Sequence, residues 1–325
     1  MGKTENKGFE ATITYNAINK KDYGLTFNAN IGFNKSKIKS LGQMEDFGSE
    51  TYWASSQIGY DYWISVGGSV GQMYGYRSDG RYETSDFESY NATTKKYQLK
   101  SGIADDGSVL GLSVRPGSMK LKDINGDGKV TTADREIIGN SNPDFTGGFG
   151  ITARAYGFDL SAQFNFSVGN DVYNANKIEF TSTGNYQYRN MIDIMADGKR
   201  WTNIDANGNL VTDLATLATL NANTTMWSPY SANKMIFSDW AVEDASFLRL
   251  NTLSLGYTLP STITKRYGIN SLRFYVTGYN VFCITGYSGY DPEVDCVRRT
   301  NLTPGVDYSA YPKSRQFVVG LNLNF

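Results

Sequence analysis

The sequence predicts an all-β chain, a transmembrane antiparallel β-barrel wall, on three observations. Apolar and polar residues alternate in runs; each run is about ten residues, the span a tilted strand needs to cross a bilayer; and short turns alternate with very long loops. Of 325 residues, 40% are hydrophobic and 14% aromatic, yet the mean hydropathy is only −0.41. No apolar run is long enough for a transmembrane helix, whereas barrel strands alternate and average to a polar value.

Taken in order, Phe9, Ala11, Ile13, Tyr15 and Ala17 alternate with Glu10, Thr12, Thr14 and Asn16. After the polar turn Asn19-Lys20-Lys21-Asp22 the pattern resumes as Leu25, Phe27, Ala29, Ile31 and Phe33, which makes a hairpin. A second hairpin begins at Phe149, turns at Tyr156-Gly157 and returns through Phe158 to Phe166. Leu253, Leu255 and Tyr257 precede a turn over residues 260–271, followed by Leu272, Phe274 and Val276. Leu248 and Leu250 sit in the opposite phase, so a bulge is expected near Asn251–Thr252. Phe317, Val319, Leu321, Leu323 and Phe325 end the chain. Phe27, Ile31, Phe158, Leu160, Phe164, Leu321 and Leu323 are expected to face lipid. Asn28, Asn30, Ser161, Gln163, Asn165 and Asn322 are expected to face the lumen or a plug.

These runs make about seven strands. The long connections, about 39–145, 169–243 and 284–313, read as extracellular loops, since barrel turns are short on the periplasmic side. A soluble β-sandwich also alternates but rarely tolerates loops of that length. Seven strands cannot close a membrane barrel, because an open edge in lipid leaves backbone groups unpaired. The residues after Met1 lack the apolar core of a signal peptide. Residues 1–325 are therefore expected to be the carboxy-terminal part of a longer barrel.

Net charge of −1 argues against a nucleic-acid face. The absence of His removes Ser-His-Asp and Cys-His catalysis along with His metal ligands. Gly67-Gly68-Ser69-Val70-Gly71 copies a hydrolase elbow, but without His it reads as a loop. Gly148-Phe149-Gly150-Ile151-Thr152-Ala153 copies a dinucleotide fingerprint, but strand alternation follows it. No enzyme is expected. Cys283 is expected at the outer end of its strand and Cys296 in the next outside loop, where a disulfide is permitted and favoured. The loop aromatics Tyr52, Trp53, Tyr60, Tyr62, Trp63, Tyr74 and Tyr76 suit either sugar stacking or packing of the loop and its interface; packing is favoured.

The strongest local motif is Asp123-x-Asn125-x-Asp127-Gly128 with Asp134 at its twelfth position. That is the spacing of a Ca²⁺ loop, with Lys129 offering its carbonyl at position seven. Asp at position twelve shortens the reach of the usual Glu, and Met119–Lys122 does not look helical, so a structural ion outside an EF-hand is expected. The alternative is an Asx-rich turn without metal.

Four segments together resemble the carboxy-terminal third of SusC/RagA-type TonB-dependent outer-membrane transporters. They are Asn6-Lys7-Gly8-Phe9-Glu10; Asp123–Gly128 with Asp134-Arg135; Ile138-Gly139-Asn140 with Pro143-Asp144-Phe145 and Gly157–Ser161; and Gly289-Tyr290-Asp291-Pro292-Glu293 with Tyr311-Pro312 and Arg315. Gly169–Asn174 also fits. The resemblance implies a plugged barrel of about 22 strands in the bacterial outer membrane. It implies TonB, a SusD-like surface lipoprotein, and import of glycans or sometimes peptides. A passive porin-like or adhesive barrel is the alternative function.

Overall fold

A computed structural model describes residues 2–54, 57–183, 190–296 and 300–325. Seven long strands form one antiparallel sheet: β1 (Lys3–Asn19), β2 (Tyr23–Ser40), β3 (Phe145–Ala155), β4 (Phe158–Val168), β5 (Phe247–Thr258), β6 (Ser271–Thr285) and β7 (Gln316–Asn324). Each pairs with its neighbour in the chain. Among the described residues no helix is long and apolar enough to cross a membrane.

Apolar side chains line up in ranks on one face of this sheet. One runs Tyr15, Phe27, Ile151, Ala162 and Leu253 straight across the sheet; another runs Phe158, Tyr257, Phe274 and Leu321. The large side chains of this face are bare, with Phe158 54% and Leu321 58% exposed, as lipid-facing side chains must be. The opposite face carries Asn28, Gly150, Gln163 and Thr252 in one rank and Thr26, Thr152, Ser161, Ser254 and Thr277 in the next. Ser254 Oγ and Thr277 Oγ1 lie 2.9 Å apart there. The polar and apolar sets expected from alternation thus occupy opposite faces.

The expected bulge is present. Register shifts between Leu250 and Thr252 against both neighbours, and Asn280 in β6 takes φ +50 at the matching height. The extra residue brings Leu248 opposite Phe166 and Leu250 opposite Phe164, so the out-of-phase leucines rejoin the apolar face. Tyr156 (φ +48) and Gly157 (φ +94) make the two-residue turn between β3 and β4. Two positive φ values give the turn whose twist matches the flanking strands.

Strand length departs from expectation. β1 and β2 reach 17 and 18 residues, because their ladder continues past the apolar alternation until Lys3 meets Ser40. Glu5 meets Lys7 at 3.2 Å and Lys39 at 3.3 Å along that extension. Such charges belong in water, so the hairpin stands above the bilayer.

The long connections are also not plain loops. Asp46–Ser49, Tyr62–Ser65, Gln72–Gly75 and Glu136–Asn140 form a sheet within the first connection. Asp171–Asn174, Val242–Asp244 and Val306–Asp307 form another from the second and third. One buried cluster holds Trp53, Tyr62 and Met73 from the first connection, Tyr173 and Phe237 from the second, and Val306 from the third. The three connections therefore share a core and form one cap.

Candidate functional site

A cavity of about 610 Å³ lies where the cap meets the polar face of the wall. Asn30 and Asn165 come from the wall, Asn170 and Asp171 from the second connection, Glu293 and Asp295 from the third. Among the described residues no Lys or Arg lines it. The chemistry offered is neutral amide and carboxylate oxygen, suited to hydroxyl and amide partners rather than anions. Wall glycines shape this face. A Cβ on Gly150 would meet Asn28 Oδ1 and Gln163 Oε1 at 2.3 Å, so only glycine lets those amides close over the strand.

Arg249 fastens cap to wall. It sits beside the bulge, 3% exposed, and its Nη2 donates to Asp291 Oδ1 at 2.7 Å. Nη1 reaches Asn280 Oδ1 at 2.5 Å, and Nε lies 2.8 Å from Glu293 Oε2, a charge contact without the alignment of a hydrogen bond. Lys313 Nζ holds the same Glu293 oxygen at 2.7 Å. The Gly-Tyr-Asp-Pro-Glu motif thus works as a latch, with Pro292 between the two gripping carboxylates. Sequence reasoning found the motif but missed Arg249. The signal was a lone cation inside the apolar run Phe247-Leu248-Arg249-Leu250.

Within the cap, Tyr62 OH donates to Pro304 O at 2.6 Å and Trp53 Nε1 to Tyr173 OH at 2.6 Å. Tyr173 stacks on Phe237 with centroids 3.8 Å apart. Arg135 donates to Tyr74 O at 2.9 Å and to Tyr60 O, and its guanidinium lies over the Tyr74 ring. Of the loop aromatics, Trp53, Tyr62 and Tyr76 are buried, and Trp63 packs against Tyr74, so packing accounts for these five. Tyr52 and Tyr60 remain exposed.

Asp61 and Asp106 are among the buried cap carboxyls. Asp61 accepts from Thr51 N at 2.9 Å and from the Thr51 hydroxyl. Burial pushes it up to about 7, against the pull of those hydrogen bonds and of Arg135. Asp106 accepts from Leu121 N at 2.6 Å, and burial likewise raises it to about 7.

The Asp123–Asp134 loop folds as a ladder of side-chain to backbone hydrogen bonds. Asp123 accepts from Gly126 N at 2.7 Å and Gly128 N at 2.8 Å, Asn125 from Asp127 N and Asp127 from Lys129 N, each at 2.9 Å. Gly126 and Gly128 take φ of +75 and +84, the left-handed conformation that glycine permits. Asp134 turns inward to Thr131 N at 2.8 Å, Ile124 N at 2.9 Å and Asn125 N at 3.3 Å. Burial alone would raise its carboxyl, but these donors outweigh it and hold it below the ordinary value. Met119–Leu121 is a strand and a single 3₁₀ turn, Thr132–Asp134, follows, so no helix pair frames the loop. Among the described residues no group of three or more His, Cys, Asp or Glu is placed to hold a metal. The side chains make Asx turns within the loop.

Cys283 and Cys296 are free thiols, which corrects the expected bridge. Separate ladders fix their backbones: Cys283 is paired opposite Arg249 in the wall, while Cys296 N donates to Val306 O in the cap.

A two-faced antiparallel wall, apolar outside and polar under a folded cap, defines a bacterial outer-membrane β-barrel protein. No family model matches the chain. It is 31% identical over 329 residues to TonB-dependent receptor P3 of Formosa agariphila, and 30% over 345 residues to receptor P39 of the same organism. It is 24% identical over 326 residues to the TonB-dependent receptor SusC of Bacteroides thetaiotaomicron. Each alignment covers the whole chain but only 29%, 31% and 27% of these relatives, so the chain spans about three-tenths of their length. Among solved structures, the RagAB peptide transporter matches with a TM-score of 0.68 at 20% identity, over all of this chain and 30% of that one. Over its whole length the chain is similar to TonB-dependent receptors, SusC among them, and it shares the fold of a RagAB chain, all outer-membrane β-barrel proteins.

Proposed function

We propose that the protein imports a nutrient across the outer membrane with energy delivered through TonB, and that a SusD-like lipoprotein closes over the cap. The observation carrying this reading is the cavity between cap and polar wall, since a lid over that cap would shield cargo from bulk water. Residues 39–145, 169–243 and 284–313 are the surfaces assigned to lid and cargo. The cargo is an oligosaccharide: the described lining of the cavity offers amides and carboxylates, and Tyr52 and Tyr60 present exposed rings. A peptide is the runner-up, favoured by the likeness to a peptide transporter. The test pairs a detergent pull-down of the intact protein with uptake of labelled oligosaccharide and peptide in cells lacking TonB. Recovery without a lipoprotein removes the lid. Uptake unchanged without TonB leaves a passive or adhesive barrel.

A structural Ca²⁺ held by Asp123, Asn125, Asp127, Asp134 and the Lys129 carbonyl is part of the same proposal. Supporting it are the all-oxygen donor set and the two left-handed glycines; each carboxylate oxygen bonded to one N–H keeps a second lone pair. Calcium addition to the chelated intact protein should slow proteolysis between residues 119 and 140, and Asp127→Asn should weaken the response. Protection unchanged at millimolar Ca²⁺ refutes the ion.

A further inference from the structure

Every short turn of the wall lies at the end opposite the cap, and two of the three carry cations. The first turn carries Lys20 and Lys21, the second is entered through Arg154, and the third carries Lys265 and Arg266. Asp22 is the sole carboxylate in the three turns, while the chain as a whole has a net charge of −1. The excess of acid therefore lies elsewhere in the molecule. Lys20, Lys21, Lys265 and Arg266 are exposed, and none takes part in an ion pair among the described residues. The nearby Arg273 is neutralised on the polar face by Asp159, at 2.9 and 2.6 Å.

The turns form one continuous rim. Arg154 Nη2 donates to Lys20 O at 3.0 Å, Tyr156 N to Asp22 O at 2.9 Å, and Thr258 N to Gly157 O at 2.7 Å. Aromatic rings mark the same level. Tyr156 is 73% and Tyr267 77% exposed, and Tyr23 packs against Tyr156. Just above them stand the bare lipid-facing Phe158, Leu255 and Phe274. Amphipathic rings sit where acyl chain gives way to headgroup, so they fix the depth of the rim at the phosphates of the periplasmic leaflet. Long basic side chains at that depth lay their stems along apolar surface and hold their charge at the headgroups.

We propose that this rim is a docking surface for anionic phospholipid headgroups, with Lys20, Lys21, Lys265 and Arg266 as the contacting cations. Positive charge in excess of the single Asp22 carboxylate, presented on a collar of exposed tyrosines, is complementary to a negative lipid surface. The interaction orients and seats the barrel from below and does not depend on what the cap transports.

The experiment uses the intact protein in nanodiscs of equimolar phosphatidylglycerol and phosphatidylcholine, followed by native mass spectrometry of the lipid it retains. Each cation near an anionic surface is worth roughly a fivefold preference. Even partial engagement of the four therefore gives the wild type a phosphatidylglycerol preference of about tenfold or more, falling as salt is raised. Lys20→Gln, Lys21→Gln, Lys265→Gln and Arg266→Gln combined should bring the preference within about twofold of unity. Lys20→Arg, Lys21→Arg and Lys265→Arg combined should retain it. Ten millimolar inorganic phosphate should leave it in place, since the surface reads a lipid layer rather than a free anion. Heat-modifiable gel mobility reports barrel integrity separately, and a collapsed combined variant is replaced by Lys265→Gln with Arg266→Gln, for which a partial loss is expected. A wild type with equal retention of both lipids overturns the proposal, as does a folded neutral variant that keeps the preference.

Discussion

Arg249→Met removes the cation that holds the third connection to the wall while keeping most of the stem's volume. Asp291 and Glu293 then lose their partner. Breaking a buried pair by deleting one member costs about 3–5 kcal/mol, because the remaining charge is left uncompensated. Asp291 is only 9% exposed and takes that penalty in full, whereas Glu293 keeps Lys313 at 2.7 Å. The lower end, about 3 kcal/mol, is therefore expected, which raises the open population of the connection roughly 100-fold at 1.4 kcal/mol per decade. Proteolysis that follows the equilibrium population of the open form reads this directly. Cleavage of residues 286–313 in the detergent-solubilised intact protein should accelerate by about that factor, with the wall strands unaffected. Arg249→Lys should recover part of the protection, since one ammonium can meet one carboxylate but not fork between two. A cleavage rate within about twofold of wild type would refute the latch.

Gly256→Ala places a Cβ 2.4 Å from Arg273 Nη2 and 2.6 Å from Asp159 Oδ1, whose ion pair crosses the strand there. Thermal unfolding should show a loss of about 1–3 kcal/mol from overpacking, and an unchanged transition would show that the pair moves aside freely. Asp61 and Asp106 bind protons more tightly folded than unfolded, so their contribution to cap stability is greatest below the ordinary carboxylate value near 4 and falls as pH rises through about 7. Hydrogen exchange at Thr51 and Leu121, corrected for intrinsic rates, should show more protection at pH 5 than at pH 8; Asp61→Asn and Asp106→Asn together should flatten that difference.

The wall was legible because lipid on one side and water on the other impose a period of two, and the apolar ranks from Tyr15 to Leu253 and from Phe158 to Leu321 obey it. Even the bulge announced itself, as Leu248 and Leu250 could reach the apolar face only through an extra residue. The cap was not legible. Its strands are two to five residues long, too short for periodicity, and its core joins side chains far apart in the chain. Arg249 was hidden for a related reason, since its partners lie 42 and 44 residues downstream. The cysteines misled because proximity in sequence and compartment said nothing about which ladder would hold each one.

The shared core of the three connections also sets an order of assembly. Wall strands pair with their neighbours along the chain, so hairpins such as β1–β2 and β3–β4 close short loops and can zip early. The cap has no such local route. Tyr62 must wait for Pro304, 242 residues away, and Trp53 for Tyr173, 120 residues away. Rate and location therefore separate: the barrel wall sets the pace of insertion, while the outward face matures last, from segments that have already been carried across the membrane. A destabilised cap would consequently appear as slow acquisition of protease resistance in a barrel already inserted, a maturation defect rather than an export defect.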